Sequence, residues 1–347
     1  MANISALSSK ALYAKAKACY ASHMTPDDYV RLSSLSSLEE FVSHLKNKTQ
    51  YSAAFEGLGG SGHLTRQHVE AIIRRMFFLR LEKLVRYANL CDNYVSDYFL
   101  ARHECECIVR RLRQSGEYTL DSYFVYMPEG FFTSTGFDIY ALEHARSQEE
   151  LLEVLHGTDY GKLLNNILKS DAGSLIAENV IYGYLFEHSA KGFKKKLEKK
   201  EYEEIERILA MFSDMITINN LYRIKKFYPD CADKLLIHVY TSNLTRISDI
   251  QLDKMKKAKD VTEFTAQLEK TCYKQAATLL RGSESALFTK QYIYNECKRL
   301  FTISDKAAVS ALCYSYLITN EASNLIVLTE ALSAGVSQER MLKLLVT

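Results

Sequence analysis

The chain has 347 residues, with 44 Lys and Arg against 42 Asp and Glu, so its net charge of +2 gives no global pull toward nucleic acid or anionic lipid. A hydrophobic share of 47% supplies a sizeable core and argues against disorder, while only three prolines and 14 glycines leave few helix breakers and point to an all-α chain. Eight cysteines are scattered at 19, 91, 105, 107, 231, 272, 297 and 313, mostly in helical patterns, and read as small reduced hydrophobes in a cytoplasmic setting.

The opening MANISALSSKALYAKAKACY lacks the apolar core of a signal peptide, and no stretch approaches the roughly 18 apolar residues of a membrane span. Any membrane association is therefore expected through another protein or a surface. TPDDYVRL (25–32) carries a helix start, with Thr25 as cap, Pro26 at the first helical position and Asp28 at the third. SLEEFVSHLKNKTQY (37–51) follows, then GLGGSGH (57–63), which lacks the Lys-Ser/Thr of a phosphate loop and reads as a flexible connection. A long helical stretch is predicted over 68–90. In RHECEC, His103 and Cys107 share a helix face while Cys105 does not; that supplies two metal ligands, where structural zinc takes four.

Residues 118–139 are aromatic, β-branched and marked by Gly and Pro, and are expected to form a loop or short hairpin. SQEELLEVLHGTDY (147–160) precedes a long helical stretch over 177–216. Within it, KGFKKKLEKKEYEEIER (191–207) sets a basic block before an acidic one, the pattern of a solvated helix self-paired at i,i+4, or of a partner or headgroup contact. DVTEFTAQLEKTCY (260–273) and a helical stretch over 295–318 complete the chain's middle and end.

Three of these segments are copies of one another. Each opens on a capping residue (Ser37, Ser147, Asp260) with a glutamate three positions on (Glu40, Glu150, Glu263), the signature of a capping box. An apolar residue follows (Phe41, Leu151, Phe264), then a leucine four further on (Leu45, Leu155, Leu268), and each ends in Thr-x-Tyr at Tyr51, Tyr160 and Tyr273. A second element recurs about fifty residues after each tyrosine. It reads Glu104, Cys107, Ile108, Arg113; Asp214, Thr217, Ile218, Arg223; and Glu321, Asn324, Leu325, Glu330. The acid and the residue three on share a helix face, and the apolar residue points to a core. The repeats divide the chain into three helical modules, 1–116, 117–228 and 229–347, with Gly116 and Pro229 interrupting helical patterns at the boundaries.

With these residues the chain resembles the C subunit of prokaryotic V-type (A/V-type) ATPases, the equivalent of subunit d of the eukaryotic vacuolar enzyme (the AC39 family). The resemblance spans essentially the whole chain. It is carried by YAKAKACYASHMTPDDYVRL, by SLEEFVSHLKNKTQY, by DMITINNLYRIKK (214–226) and most specifically by NEASNLIVLTEALSAGVSQERMLKLL (320–345). The family pattern of acid-x-x-Asn-Ile followed by Arg-x-Lys is matched by Asp214, Arg223 and Lys225; its Asn survives as Asn324 but is replaced by Thr217 and Cys107.

The resemblance implies three similar subdomains arranged with pseudo-threefold symmetry in a funnel or socket. One end would seat the central-shaft subunits (D and F type) of the soluble motor, and the other would rest on the membrane rotor ring of proteolipid subunits, at the cytoplasmic face. Such a subunit turns with the rotor and transmits torque for ATP-coupled H⁺ or Na⁺ transport. It neither hydrolyses ATP nor carries ions, and needs no cofactor or metal. Glu104, Arg113, Asp214, Arg223, Lys225, Glu321 and Asn324 are the structural or interface candidates. The alternative is a helical-repeat adaptor holding a protein or peptide in a concave surface. An enzyme is a third reading, one that lacks a G-x-S-x-G, H-E-x-x-H or cysteine–histidine signature.

Overall fold

The computed structural model describes residues 2–56, 64–113, 127–130, 135–168, 173–236, 239, 241–282 and 287–347. Among them every regular element is helical. In chain order these are α1 (Ala2–Tyr20), α2 (Pro26–Ser33), α3 (Leu38–Lys48), a 3₁₀ turn (Gln50–Phe55), α4 (Arg66–Ala88) and α5 (Val95–Arg113). Then come α6 (Ile139–His144), α7 (Gln148–Val154), α8 (Asp159–Ile167), α9 (Gly173–Lys196), α10 (Lys199–Phe227) and α11 (Ala232–Leu236). The last are α12 (Asp249–Lys257), α13 (Val261–Leu268), α14 (Lys274–Arg281), α15 (Phe288–Ile303), α16 (Ala307–Ser333) and α17 (Gln338–Leu342). No described helix is long and apolar enough to cross a membrane.

The chain forms two compact units. The first takes the described residues of Met1–Val95, Thr119–Gly130 and Tyr294–Thr347. Its long helices α1, α4 and α16 pack pairwise against one another, and α2, α3 and α17 pack on α16. Helix α16 is buried around most of its circumference, from Ala307 to Ala331, because most of its residues are apolar or small, and its buried Asn320, Glu321 and Asn324 are hydrogen-bonded. Phe41, Leu45 and Tyr51 join Leu325 and Leu328 in this core.

The second unit takes the described residues of Ser96–Tyr118 and Phe131–Ile293. Helices α9 and α10 pack against each other, α8 packs on α9, and α12, α13 and α14 pack in succession. The predicted stretch 177–216 is thus two helices: α9 stops at Lys196 and α10 begins at Lys199. A two-residue connection followed by mutual packing requires the chain to reverse, so the basic and acidic blocks of 191–207 flank a corner of a helical hairpin. The stretch 295–318 is likewise broken, between α15 and α16, where Ser304 Oγ accepts the Lys306 amide at 3.2 Å and opens a turn.

The starts of the helices follow their capping residues. Thr25 and Asp28 cap α2 reciprocally, Asp28 N donating to Thr25 Oγ1 at 3.3 Å and Thr25 N to Asp28 Oδ2 at 2.9 Å. In the three repeat copies Ser37, Ser147 and Asp260 accept from the amides of Glu40, Glu150 and Glu263 at 3.2, 3.1 and 2.8 Å. The returning arm, however, lands one residue earlier than a capping box requires. The three glutamates accept from Ser36 N, Arg146 N and Lys259 N at 3.0, 2.6 and 2.9 Å. A glutamate is long enough to reach past the cap, and it thereby fixes the direction in which the chain enters the helix.

The segment 118–139 is only partly described. Residues 118–126 and 131–134 lie outside the described residues, Glu129 and Gly130 are helical, and Ile139 opens α6. The glycine-rich 57–63 also lies outside them.

Candidate functional site

The repeated sequence elements meet in three dimensions. In each copy the Thr of Thr-x-Tyr turns its hydroxyl onto the carbonyl of the repeat leucine: Thr49 to Leu45, Thr158 to Leu155 and Thr271 to Leu268, each at 2.7 Å. Thr49 and Thr271 also accept the amide of the repeat tyrosine, at 3.1 Å in both copies, while Thr158 accepts Gly161 N at 3.0 Å. These bonds end the capped helix and set the tyrosine at a fixed angle from it.

The tyrosine hydroxyl then donates to a repeat acid. Tyr160 bonds Glu104 Oε2 at 3.0 Å, Tyr273 bonds Asp214 Oδ2 at 2.6 Å, and Tyr51 bonds Glu321 Oε1 at 2.9 Å. The acid of one sequence repeat meets the tyrosine of the next, and the last acid returns to the first tyrosine. Each carboxylate also accepts a backbone amide from a loop upstream of its tyrosine: Gly136 N at 2.7 Å, Arg246 N at 2.8 Å and Met24 N at 2.8 Å. Three chain segments are thus tied at each acid, in an acid–tyrosine–amide lock. Burial raises the ionisation of all three phenols above the ordinary tyrosine value, so they remain donors.

The surroundings of the three acids differ. Glu321 is completely buried and pairs with Arg80 Nη1 at 2.7 Å, with Arg80 itself only 3% exposed. His23 Nδ1 comes within 2.6 Å of Glu321 Oε2 but off the direction of a well-aligned hydrogen bond. Burial alone would raise the Glu321 pKa, yet the Arg80 charge, the His23 contact and the Met24 amide hold it down at about 2. Asp214 is 2% exposed, and there burial outweighs its three donors, Thr245 Oγ1, Tyr273 and the Arg246 amide, so its pKa lies above the usual aspartate value. Glu104 is half-buried.

A family model described as ATP synthase (C/AC39) subunit matches residues 12–344. The chain belongs to this family. No curated protein matches it. The locks lie inside the matched span, and so do the seven structural or interface candidates, Glu104, Arg113, Asp214, Arg223, Lys225, Glu321 and Asn324.

Those seven residues divide by burial. Glu104, Asp214 and Glu321 are the lock acids. Asn324, buried beside Glu321, pins the tail of the chain to α16: its Nδ2 donates to Val346 O at 2.8 Å and its Oδ1 accepts Val346 N at 3.1 Å. The equivalent Thr217 and Cys107 are buried too, and so are the apolar neighbours Ile108, Ile218 and Leu325. Lys225 is 6% exposed and donates from Nζ to Lys256 O at 2.8 Å and to Ala258 O, which places its charge on the electronegative C-terminus of α12. Arg113 and Arg223, like Glu330, are exposed, and Arg113 pairs with Glu178. The long-side-chain slot of the repeat therefore faces solvent, which explains why Arg and Glu both occupy it.

Sequence patterning did not single out Arg80, His23 or Tyr184. Arg80 sits in the apolar run MFFLRLEKL, where a lone buried cation calls for a buried acid. His103 and Cys107 do approach each other, Nε2 to Sγ at 3.7 Å, inside the core, and burial lowers His103 to about 4 despite the opposing charge of Glu106.

Two glycines shape the second copy. Gly157 has φ of +82°, a left-handed conformation in the turn between α7 and α8. Gly161 lies so close to the preceding turn that a Cβ there would stand 2.3 Å from Leu155 O and 2.9 Å from Leu155 C. Backbone cannot yield as a side chain can, so Gly161→Ala is expected to cost about 1–3 kcal/mol in urea unfolding. A cost below about 0.5 kcal/mol would show that α8 shifts freely.

Proposed function

We propose that the chain is a non-catalytic central-stalk subunit of a rotary V-type ATPase. In this reading it joins the D- and F-type shaft subunits to the proteolipid rotor ring at the cytoplasmic membrane face, and transmits torque for ATP-coupled transport of H⁺ or Na⁺. The observation that carries the reading is the repeated lock, in a chain that belongs to the ATP synthase (C/AC39) subunit family. A torque coupler needs a stiff body with broad contact surfaces. Packed helices transmit strain because their interiors are close-packed, and satisfied polar networks fix one arrangement of the helices around them. Each of the three acids serves such a tie. Three modules around one axis, 1–116, 117–228 and 229–347, remain part of the proposal.

The test is co-elution of the purified chain with isolated D- and F-type shaft subunits, followed by the detergent-solubilised ring. A ternary complex is expected; folded components that bind neither way would turn the reading to a helical-repeat adaptor. Within that assay Arg223, exposed on α10, is expected to matter for assembly. Arg223→Ala should reduce shaft or ring retention several-fold while leaving unfolding within about 0.5 kcal/mol of the parent, as for a surface residue. Unchanged retention would remove Arg223 from the interface.

A further inference from the structure

The three locks differ in one respect that points to a binding site. Two of them already hold an arginine of this chain against the tyrosine ring. The Arg80 guanidinium lies 5.5 Å from the Tyr51 ring centroid while pairing with Glu321. The Arg246 guanidinium lies 5.6 Å from the Tyr273 ring centroid, near enough to Asp214 to favour its charged form. These arginines come from unrelated places, one within α4 and one in the loop before α12. Their separate origins point to what the acid–tyrosine pair itself offers a guanidinium. A carboxylate supplies the opposite charge and the ring face supplies a quadrupole, and a planar guanidinium uses both.

Among the described residues the Glu104–Tyr160 lock has no such arginine: the carboxylate accepts from Tyr160 and the Gly136 amide, and no cation stands within ion-pair distance of it. In place of an arginine there is an open cavity of about 330 Å³, lined by Glu104, Phe137, Asp159, Tyr160, Tyr184 and His188 among others. Tyr160 and Tyr184 meet edge to face at 5.6 Å between centroids, giving the cavity aromatic walls. Asp159 already pairs with the Lys162 ammonium and accepts from the Tyr184 hydroxyl, both at 2.9 Å, so of the two acids Glu104 is the one whose charge has no cation among the described residues. A second, larger groove of about 780 Å³ adjoins at Gly157, which presents no side chain between them.

We propose that this cavity receives an arginine side chain from a partner protein, which completes the third lock as Arg80 and Arg246 complete the other two. The guanidinium pairs with Glu104 and lies against Tyr160, and the partner's backbone passes over Gly157 into the adjoining groove. The site is defined without reference to any particular partner, so its test needs none of the shaft or ring subunits.

The probe is acetyl-arginine-methylamide, titrated into the full chain while the ring signals of ¹³C-labelled tyrosine are followed by NMR. Tyr160 and Tyr184 are assigned from their phenylalanine variants. Saturable shifts at these two residues are expected. The neutral citrulline analogue should bind at least tenfold more weakly, and the lysine analogue more weakly than arginine. Glu104→Gln should lose at least tenfold in affinity. In case that variant folds poorly, His188→Arg provides a second arm by placing a guanidinium on the cavity wall, and it should weaken probe binding at least tenfold while raising the melting temperature. Equal binding of arginine and citrulline analogues, or no saturable shift at Tyr160 in the parent chain, would overturn the proposal. So would full probe affinity in a folded His188→Arg chain.

Discussion

Replacing Glu321 with methionine is expected to cost about 3–5 kcal/mol in urea unfolding, the largest effect of any single substitution at the locks. The loss does not measure the attraction between Glu321 and Arg80. Removing the acid strands Arg80, whose Nε and Nη2 have no hydrogen-bond partner among the described residues, as an uncompensated charge in the core. It also strands the Tyr51 hydroxyl and the Met24 amide, each of which donates to this one carboxylate. The double variant Glu321→Met with Arg80→Met is therefore expected to be more stable than Glu321→Met alone, since the second change removes the stranded charge. It should still fall below the parent, because the tyrosine and the amide stay unsatisfied. A single variant within 1 kcal/mol of the parent, or a double variant less stable than the single, would mean that the buried pair does not hold this unit together.

The second large effect is an opposition in pH dependence between two acids that occupy the same repeat slot. Glu321 is held at about 2 in the folded chain, below its ordinary value of 4.5. Its ionisation therefore contributes stability that is fully present above pH 4.5 and is lost as the pH falls from there toward 2, in total about 3 kcal/mol. Asp214 has the opposite sign. Its folded pKa is raised above 3.8, chiefly by burial, so its charge costs stability at neutral pH and the cost is relieved as the pH falls through the folded value. The penalty of Glu321→Gln should accordingly be about 3 kcal/mol at pH 7 and shrink below pH 4.5. The penalty of Asp214→Asn should be smaller at pH 7 and grow as the pH falls. Urea midpoints of parent and variants at pH 7, 5 and 3.5 decide the matter, and parallel curves for the two variants would refute the assignment.

The helical class and the lock residues were legible in the sequence because each follows from a local rule. Caps, i,i+4 apolar pairs and Thr-x-Tyr endings lie within 15 residues of one another, so spacing alone reveals them. The pairing of those residues was not legible. Tyr160 and Glu104 are 56 residues apart, Tyr273 and Asp214 59, and Tyr51 and Glu321 270, and no local periodicity relates such distant positions. Arg80 and His23 have no counterparts in the repeat, so repetition could not flag them. The corner at Leu197–Glu198 was hidden for another reason: Lys and Glu are good helix formers, and the break carries neither Gly nor Pro. There tertiary packing of α9 on α10 overrides propensity. The reach of Glu40, Glu150 and Glu263 to the residue before the cap likewise depends on how the incoming chain is bent, which the cap motif leaves open.

The most direct test of the coupling role is an omission experiment in a reconstituted rotary ATPase. The soluble motor, shaft subunits and membrane sector are assembled in vesicles with and without this chain, and ATP hydrolysis and ion uptake are measured together. If the chain is the coupler, vesicles lacking it hydrolyse ATP without accumulating ions, and adding the purified protein restores uptake tied to hydrolysis. Ion uptake driven by ATP at the full rate in its absence would contradict the coupling role.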